Sequence, residues 1–219
     1  MNIQNLNCLI DLHLHLDGSL PLHTVKELAE QQGITLQMTD GELKKKLSVP
    51  AGCRDLNEYL TKFEFPLTLM QTPEALEKCM HDLLTELEGQ GVQYCEVRFA
   101  PQLHTQKGMS QNEVIEAVKA GLYSVAGVKP ESIHAGIILC CMRGSDNGQQ
   151  NKITVEEAAR HLGSGVCAVD LAGAEALYPT EQYADLFAYA KQLRIPVTIH
   201  AGEAAGTESI RAAVAMGAA

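Results

Sequence analysis

The chain has 219 residues, of which 46% are hydrophobic, enough for one domain with a substantial core and near the length of a single α/β barrel. Its 17 Lys and Arg against 27 Asp and Glu give a formal net charge of -10, which would repel a phosphate backbone or an anionic membrane. We therefore expect no nucleic-acid and no membrane partner. The first ten residues have no targeting pattern and no long apolar run follows, which predicts a cytoplasmic protein.

Short apolar runs rich in β-forming residues alternate with amphipathic helical segments, which predicts a parallel sheet. The strand-like runs are 8–14, 94–100, 133–141, 166–171 and 197–200. Helix starts are predicted at Thr72 before Pro73, at Ser110 with Glu113, at Thr154 with Glu157, and at Thr180.

Five such strand–helix units suit either a doubly wound sheet or a barrel without its last strands. No phosphate-binding glycine loop follows any strand, so dinucleotide and nucleoside-triphosphate binding lose support. Residues from about 22 to 90 separate the first two strands by far more than one crossover helix requires. We therefore expect that this stretch contains an insertion that covers another part of the molecule.

Seven cysteines are an odd number, show no C-x-x-C spacing and mostly lie inside apolar runs. This pattern predicts reduced core residues, not disulfides or a cysteine zinc site. They are Cys8, Cys53, Cys79, Cys95, Cys140, Cys141 and Cys167.

Two histidines, His13 and His15, stand two residues apart on the first predicted strand, so their side chains share one face. A third, His200, ends the last apolar run, and Glu203 follows in a glycine-containing turn. In parallel α/β folds the carboxyl ends of the strands converge on the site. Three imidazoles around one Zn²⁺ would leave a position for water and lower its pKa toward about 7, with Glu203 placed to move protons.

Five sequence blocks resemble those of a known enzyme family. They are DLHLHLDGS, LNEYLTKF, EVRFAPQLH, VDLAG and VTIHAGE. They occur in the order in which zinc-dependent adenosine deaminases, members of the amidohydrolase superfamily, carry them. The chain thus resembles the amino-terminal part of such an enzyme. The resemblance implies an α/β fold of the (β/α)8 TIM-barrel type, with about the first five βα units in a single metal-dependent hydrolase domain at 1–219. It also implies a helical lid insertion at about 35–70 and one Zn²⁺ per chain.

The roles that the resemblance implies fall on residues of these blocks. His13, His15 and His200 would be zinc ligands, and Glu203 the acid that protonates purine N1 during attack at C6. The ribose end of the nucleoside would meet His15 and Asp17, and purine N3 would meet the backbone N–H of Gly173. The lid would comprise Leu56, Tyr59, Leu60 and Phe63, whose spacing equally fits ordinary helix packing.

The implied reaction is deamination of adenosine, and of 2′-deoxyadenosine, to inosine and ammonia in purine salvage. Related adenine and aminofutalosine deaminases are alternatives, although these tend to carry Glu where Asp17 stands. Arg98 and Arg143 lie at strand ends, and we expect structural ion pairs for both. No Lys or Arg cluster accompanies the histidines, which favours a neutral nucleoside substrate.

The family pattern continues with a His-Gly pair and an Asp-Asp pair that residues 1–219 do not contain. We therefore expect a C-terminally incomplete piece of a longer enzyme, with a truncated, inactive zinc-binding product as the alternative. Residues 1–219 alone are expected to bind zinc weakly and to deaminate adenosine at no more than about 10⁻³ of the full-length rate.

Overall fold

Four parallel strands form one sheet in the structure, a computed structural model that describes residues 8–129 and 132–219. They are β1 (Leu9–His15), β2 (Val92–Phe99), β3 (His134–Met142) and β4 (Val166–Ala172), and neighbours pair in the order β1-β2-β3-β4. A doubly wound sheet reverses its order at one point, whereas a barrel adds each strand beside the last. The unbroken order within the described residues therefore favours the barrel.

The predicted fifth strand lies beside β4 but forms only part of a ladder. Thr198 N donates to Val169 O at 2.8 Å. Two residues on, His200 N donates to Leu171 O at 3.0 Å. Pro196, which has no N–H to donate, begins this segment, and only an isolated parallel bridge is assigned there. The segment 196–200 nevertheless continues the order of the sheet and directs His200 to the carboxyl end.

Helices connect the strands and cover the sheet. Between β1 and β2 lie α1 (Leu22–Gln31), α2 (Asp40–Leu47), α3 (Leu56–Leu60), α4 (Glu64–Leu69) and α5 (Pro73–Gly89), with a 3₁₀ turn at Thr61–Phe63. Later come α6 (Gln111–Tyr123), α7 (Gly148–His161), α8 (Ala184–Gln192) and α9 (Gly206–Met216), with 3₁₀ turns at Pro101–His104 and Thr180–Tyr183. In the described part of the chain, none of these helices has the length and apolar sequence of a membrane span.

The helix starts confirm three of the four predicted signals. Thr72 caps α5, Ser110 and Glu113 form a reciprocal capping box before α6, and the 3₁₀ turn that leads into α8 begins at Thr180. The capping box at Thr154 is wrong, because α7 begins six residues earlier. The Thr154 hydroxyl is buried inside that helix and donates to Gln111 Oε1 at 2.7 Å, so a contact between helices replaces the cap.

The main core lies between the sheet and its helices. β3 is buried along almost its whole length, as expected of a parallel strand covered on both faces.

All seven cysteines are free thiols, and Cys79, Cys95, Cys140 and Cys141 are buried as predicted. Cys8 is exposed, and Cys53 and Cys167 are half-buried, so the core prediction was wrong for these three. The sequence analysis also made a prediction about a targeting pattern in the first ten residues. Residues 1–7 of that stretch lie outside the described residues.

Gly121 of α6 lies closely against α5. A Cβ at this position would overlap the carbonyl oxygen of Glu77 and lie 2.9 Å from Met80 Cβ. Because the obstacle includes the backbone of another helix, it cannot move aside cheaply. Glycine is therefore required here by packing, although it weakens a helix interior by up to about 1 kcal/mol relative to alanine.

Gly121→Ala should destabilise the protein by about 1–3 kcal/mol, because overpacking outweighs the gain in helix propensity. Urea unfolding of the intact protein measures this change. The matched control is Gly148→Ala in the first turn of α7, where an added Cβ meets nothing within 4 Å and no loss is expected. Equal stability of Gly121→Ala and the unsubstituted protein would contradict the close helix contact.

Thiol labelling should separate the cysteines by burial. Burial raises the pKa of Cys95 to about 12 and raises the pKa values of Cys79, Cys140 and Cys141, so these four should react only after unfolding. Exposed Cys8 should react fast in the native protein, and Cys8→Ser should remove that fast phase. Rapid native labelling of any of the four, followed by peptide mass spectrometry, would contradict this assignment.

Candidate active site

Three histidines converge at the carboxyl end of the sheet. His13 and His15 come from the end of β1, and His200 from the end of the segment beside β4. His200 Nε2 lies 3.0 Å from His13 Nε2 and 3.1 Å from His15 Nε2. The structure thus brings together the three residues that the sequence selected as candidate ligands, although 185 residues separate His15 from His200.

An irregularity in β1 helps to aim its two histidines. The pairing of β1 with β2 shifts register between Asp11 and Leu14, which is typical of a bulge beside a functional site. The carbonyl of Leu12, within this irregular stretch, accepts a hydrogen bond of 2.9 Å from the Arg98 guanidinium. Arg98 also lies 3.4 Å from Asp170 Oδ2. The structural ion pair predicted for Arg98 is therefore confirmed, and it ties β1 to β4.

Asp170 on β4 fixes the orientation of His200. Its Oδ2 lies 2.6 Å from His200 Nδ1. The other oxygen, Oδ1, accepts from the Thr198 hydroxyl at 3.0 Å. A carboxylate beside Nδ1 favours the tautomer that keeps a proton there and leaves a lone pair on Nε2. That lone pair faces His13 and His15.

The chemistry of the three rings fits a divalent cation. Burial, with His200 as the next cause, lowers the pKa of His15 to about 3, and burial together with Arg98 lowers the pKa of His13. Both rings are therefore neutral at neutral pH, which is the form that binds a metal. The three ring nitrogens converge closely, an arrangement that a cation between them would stabilise. Nitrogen donors of this kind suit Zn²⁺.

Two adjoining cavities open beside the histidines. The histidine cavity, of about 190 Å³, is lined by His13, His15, His200 and Glu203 together with residues of the insertion. The apolar cavity, of about 300 Å³, has a mainly apolar lining that includes Phe99. Both share His15 and Gly173. Their combined shape, apolar at one side and ringed by nitrogen donors at the other, is that of a small-molecule site.

Asp17 and Gly173, to which the family resemblance assigns substrate contacts, both line the apolar cavity. Asp17 is buried, and its Oδ1 has no hydrogen-bond partner among the described residues. Burial raises the pKa of Asp17 to about 7. Gly173 has a φ of +108°, a backbone conformation that residues with a Cβ rarely adopt. Glycine is thus required where the backbone approaches the cavity.

The insertion supplies one wall of the histidine cavity. Leu56, Tyr59, Leu60 and Phe63, from α3 and the following 3₁₀ turn, all line it. The Phe63 ring lies 5.9 Å from the His15 ring, centroid to centroid, and 5.8 Å from the Tyr59 ring. These residues therefore do more than pack within a helix, since they face the histidines.

Within the part of the chain that the structure describes, Arg143 does not make the ion pair that we predicted. Its guanidinium donates to Tyr178 O at 2.7 Å, to Thr180 Oγ1 at 2.9 Å and to His200 O at 2.6 Å. The reason is the position of Arg143 just beyond β3. There the backbone carbonyls of Tyr178 and His200 lie within its reach. It therefore holds the end of the His200 segment through neutral acceptors.

Sequence reasoning missed two carboxylates of the site. Asp170 is a single charge inside an otherwise apolar strand, and that pattern could have marked it as a buried, paired group. Glu175 lies in the loop after β4 and accepts hydrogen bonds from the loop that carries Glu203. No sequence signal distinguishes Glu175 from a solvated loop acid.

The family model described as adenosine deaminase matches residues 8–219, nearly the whole chain. The chain belongs to the adenosine deaminase family. It is similar to the adenosine deaminase of Haemophilus ducreyi, with 48% identity over 214 residues that cover 95% of this chain and 62% of the relative. The chain thus spans about three fifths of the length of that curated relative.

Solved structures show the fold. The chain is similar to an adenine deaminase from Arthrobacter aurescens, with a TM-score of 0.79, 23% identity, and coverage of 94% of this chain and 61% of that one. It is also similar to an amidohydrolase from Burkholderia ambifaria crystallised with bound zinc, with a TM-score of 0.81, 17% identity, and coverage of 96% and 57%. The sheet and helices are accordingly part of a (β/α)8 barrel, and the amidohydrolase family is metal-dependent.

Proposed function

We propose that the protein to which this chain belongs is a zinc-dependent deaminase that converts adenosine and 2′-deoxyadenosine to the corresponding inosine and ammonia. The observation that carries the proposal is the convergence of His13, His15 and His200 on one point, with nitrogen separations of 3.0 and 3.1 Å, at the edge of a cavity that Glu203 also lines. The family assignment supports the same reaction.

The three histidines would hold one Zn²⁺ per chain through their Nε2 atoms. When bound, zinc lowers the pKa of water toward about 7 and so supplies an attacking oxygen at neutral pH. Asp170 keeps the His200 ring turned toward the other two, and Arg98 keeps the Asp170 carboxylate charged and in place. Such supporting contacts commonly change metal affinity or activity by 10- to 100-fold when they are removed.

Glu203 would handle the proton in the reaction. The oxygen of water forms a bond to C6 of the purine while Glu203 delivers a proton to N1. The bond from C6 to the exocyclic nitrogen then breaks. Of the two water protons, one leaves with that nitrogen as ammonia and the other replaces the proton that Glu203 gave to N1. Glu203 suits this role because it faces the histidine cavity from a loop and carries no ion pair among the described residues.

Binding of the nucleoside would use both cavities. Asp17 Oδ1, buried without a partner in the described chain, would accept a hydrogen bond from a ribose hydroxyl, with His15 beside it. The Gly173 N–H would donate to purine N3. The insertion at about 35–70 would act as a lid within a single hydrolase domain, with Tyr59 and Phe63 excluding water from the reacting atoms.

The charges around the cavities favour a neutral substrate. Among the described residues that line them, Arg143 is the one Lys or Arg, and its two terminal nitrogens donate to three oxygen atoms of the protein, while its buried Nε has no partner there. A nucleoside phosphate would need free Lys or Arg donors. Free adenine would leave the Asp17 carboxyl without a hydroxyl partner. Adenosine and 2′-deoxyadenosine therefore fit better than AMP or adenine.

Zinc analysis of the intact protein tests the ligand set. We expect one zinc per chain in the unsubstituted protein and a strong loss in His200→Ala, because two histidines hold the ion less tightly than three. The control is His134→Ala, an exposed histidine at the opposite, amino end of β3, which should keep full zinc content. Full occupancy in His200→Ala would remove His200 from the ligands, and two metals per chain would overturn the mononuclear site.

Glu203→Gln should keep zinc and adenosine binding while kcat falls by at least about 10²-fold, the usual scale for loss of a general acid. The absorbance change as adenosine becomes inosine measures this directly in the intact protein. Glu208→Gln, at an exposed acid five residues further on, should leave kcat unchanged. Near-normal turnover by Glu203→Gln would return Glu203 to the status of an ordinary loop acid.

A further inference from the structure

Glu175 is a buried carboxylate that accepts three backbone hydrogen bonds from the loop after His200. Only 1% of its surface is exposed. Its Oε1 accepts from Gly202 N at 2.7 Å, and its Oε2 accepts from Ala204 N at 2.7 Å and from Ala205 N at 3.1 Å. These three amides surround Glu203 in sequence. One side chain from the loop after β4 therefore fixes the backbone on both sides of Glu203.

A chain of hydrogen bonds supports Glu175 from the other side. The Arg143 guanidinium donates to Thr180 Oγ1 at 2.9 Å, and Thr180 Oγ1 lies 2.6 Å from Ser209 Oγ. The Ser209 hydroxyl donates in turn to Glu175 Oε1. Because Arg143 also donates to His200 O, the same chain begins at the His200 backbone and ends at the Glu203 loop.

The contacts of Glu175 are made by its ionised form. Burial alone would raise its pKa, but the Ser209 hydroxyl and the three loop amides outweigh burial and hold the pKa of Glu175 below its usual value. Hydrogen bonds from backbone N–H groups to a carboxylate are among the stronger ones in proteins. Ala205 also immediately precedes α9, so the carboxylate lies where the exposed N–H groups of that helix favour negative charge.

No side chain among the described residues holds the Glu203 carboxylate in this way. Glu203 is exposed, and its side chain faces the histidine cavity from a turn in which Gly202 has a φ of +88°. A group that transfers a proton must be held close to its productive position, and a displacement of about 1 Å can cost about 10²-fold in rate. The position of Glu203 therefore depends on what holds the backbone of its loop.

We propose that Glu175 is a positioning residue for Glu203, acting by holding the Gly202–Ala205 backbone through three N–H donors. The inference rests on the proposed role of Glu203 as the proton donor. Glu175 is not among the described residues that line the histidine cavity or the apolar cavity, and its effect on the reaction passes through Glu203. The ring of His200 is oriented by Asp170, not by Glu175.

Glu175→Gln in the intact, zinc-loaded protein tests this inference. The glutamine side chain has nearly the size of glutamate, but its NH₂ group cannot accept hydrogen bonds from the backbone N–H groups of the loop. We expect kcat for adenosine to fall at least about tenfold, with KM within about threefold and zinc content unchanged. The amides at 202–205 should exchange hydrogen faster by mass spectrometry. Glu208→Gln, which removes a charge from the first turn of α9 without touching these amides, should change neither quantity.

A double-mutant cycle distinguishes positioning from a general structural role. If Glu175 acts through Glu203, Glu175→Gln should cause little further loss of kcat in the Glu203→Gln background. Additive losses, unchanged hydrogen exchange, or a joint loss of zinc and rise of KM would each overturn the inference. Should Glu175→Gln fail to fold, Ser209→Ala removes one donor to Oε1, and unchanged kcat and exchange in that variant would also overturn it.

The two proposals fail in different ways. An unsubstituted, zinc-loaded protein that does not deaminate adenosine would overturn the proposed function and with it the catalytic part of this inference. An active protein whose Glu203→Gln variant is impaired, but whose Glu175→Gln variant turns over normally, would overturn the role of Glu175 alone.

Discussion

Asp170 carries a negative charge at a position with no exposure to solvent, and the geometry of the histidine site depends on how that charge is compensated. Burying an unpaired carboxylate would cost several kcal/mol. Burial alone would raise the pKa of Asp170, but the contacts to His200 and Arg98, with the Thr198 hydroxyl, outweigh it and hold the pKa below its usual value. Compensation therefore comes from β2 and from the His200 segment, and it forces the His200 ring toward β1.

The site has two parts that differ in how rigidly the backbone holds them. The candidate zinc ligands stand on strands or beside them, where ladder hydrogen bonds and the Arg98 contact to Leu12 O restrict movement. The candidate proton donor, Glu203, stands on a loop, which is normally the less precise support. Glu175 gives that loop a buried anchor. Two buried carboxylates thus serve the two halves of the site, one through an imidazole and the other through backbone amides.

Particular residues show which features of the site and of the helices could be predicted from sequence patterns. The spacing of His13 and His15, the histidine at the end of the last apolar run and the glutamate after it were enough to select the residues that the fold brings together. Helix starts at Thr72 and Ser110 were readable because their capping contacts are local. The start at Thr154 was misread, since the same hydroxyl instead bonds Gln111 on a neighbouring helix. Local patterns do not specify such contacts between helices.

The sequence by itself determined the family, the alternation of strands and helices, and the identity of the candidate ligands, because these depend on residue types at short spacings. The tertiary structure decided what surrounds them. It paired Asp170 with His200, gave Arg143 carbonyl partners in place of an ion pair, and placed Glu175 beneath the Glu203 loop. Each of these contacts joins residues 27 or more positions apart. They form only when packed strands bring distant loops to one edge of the sheet, so no local pattern encodes them.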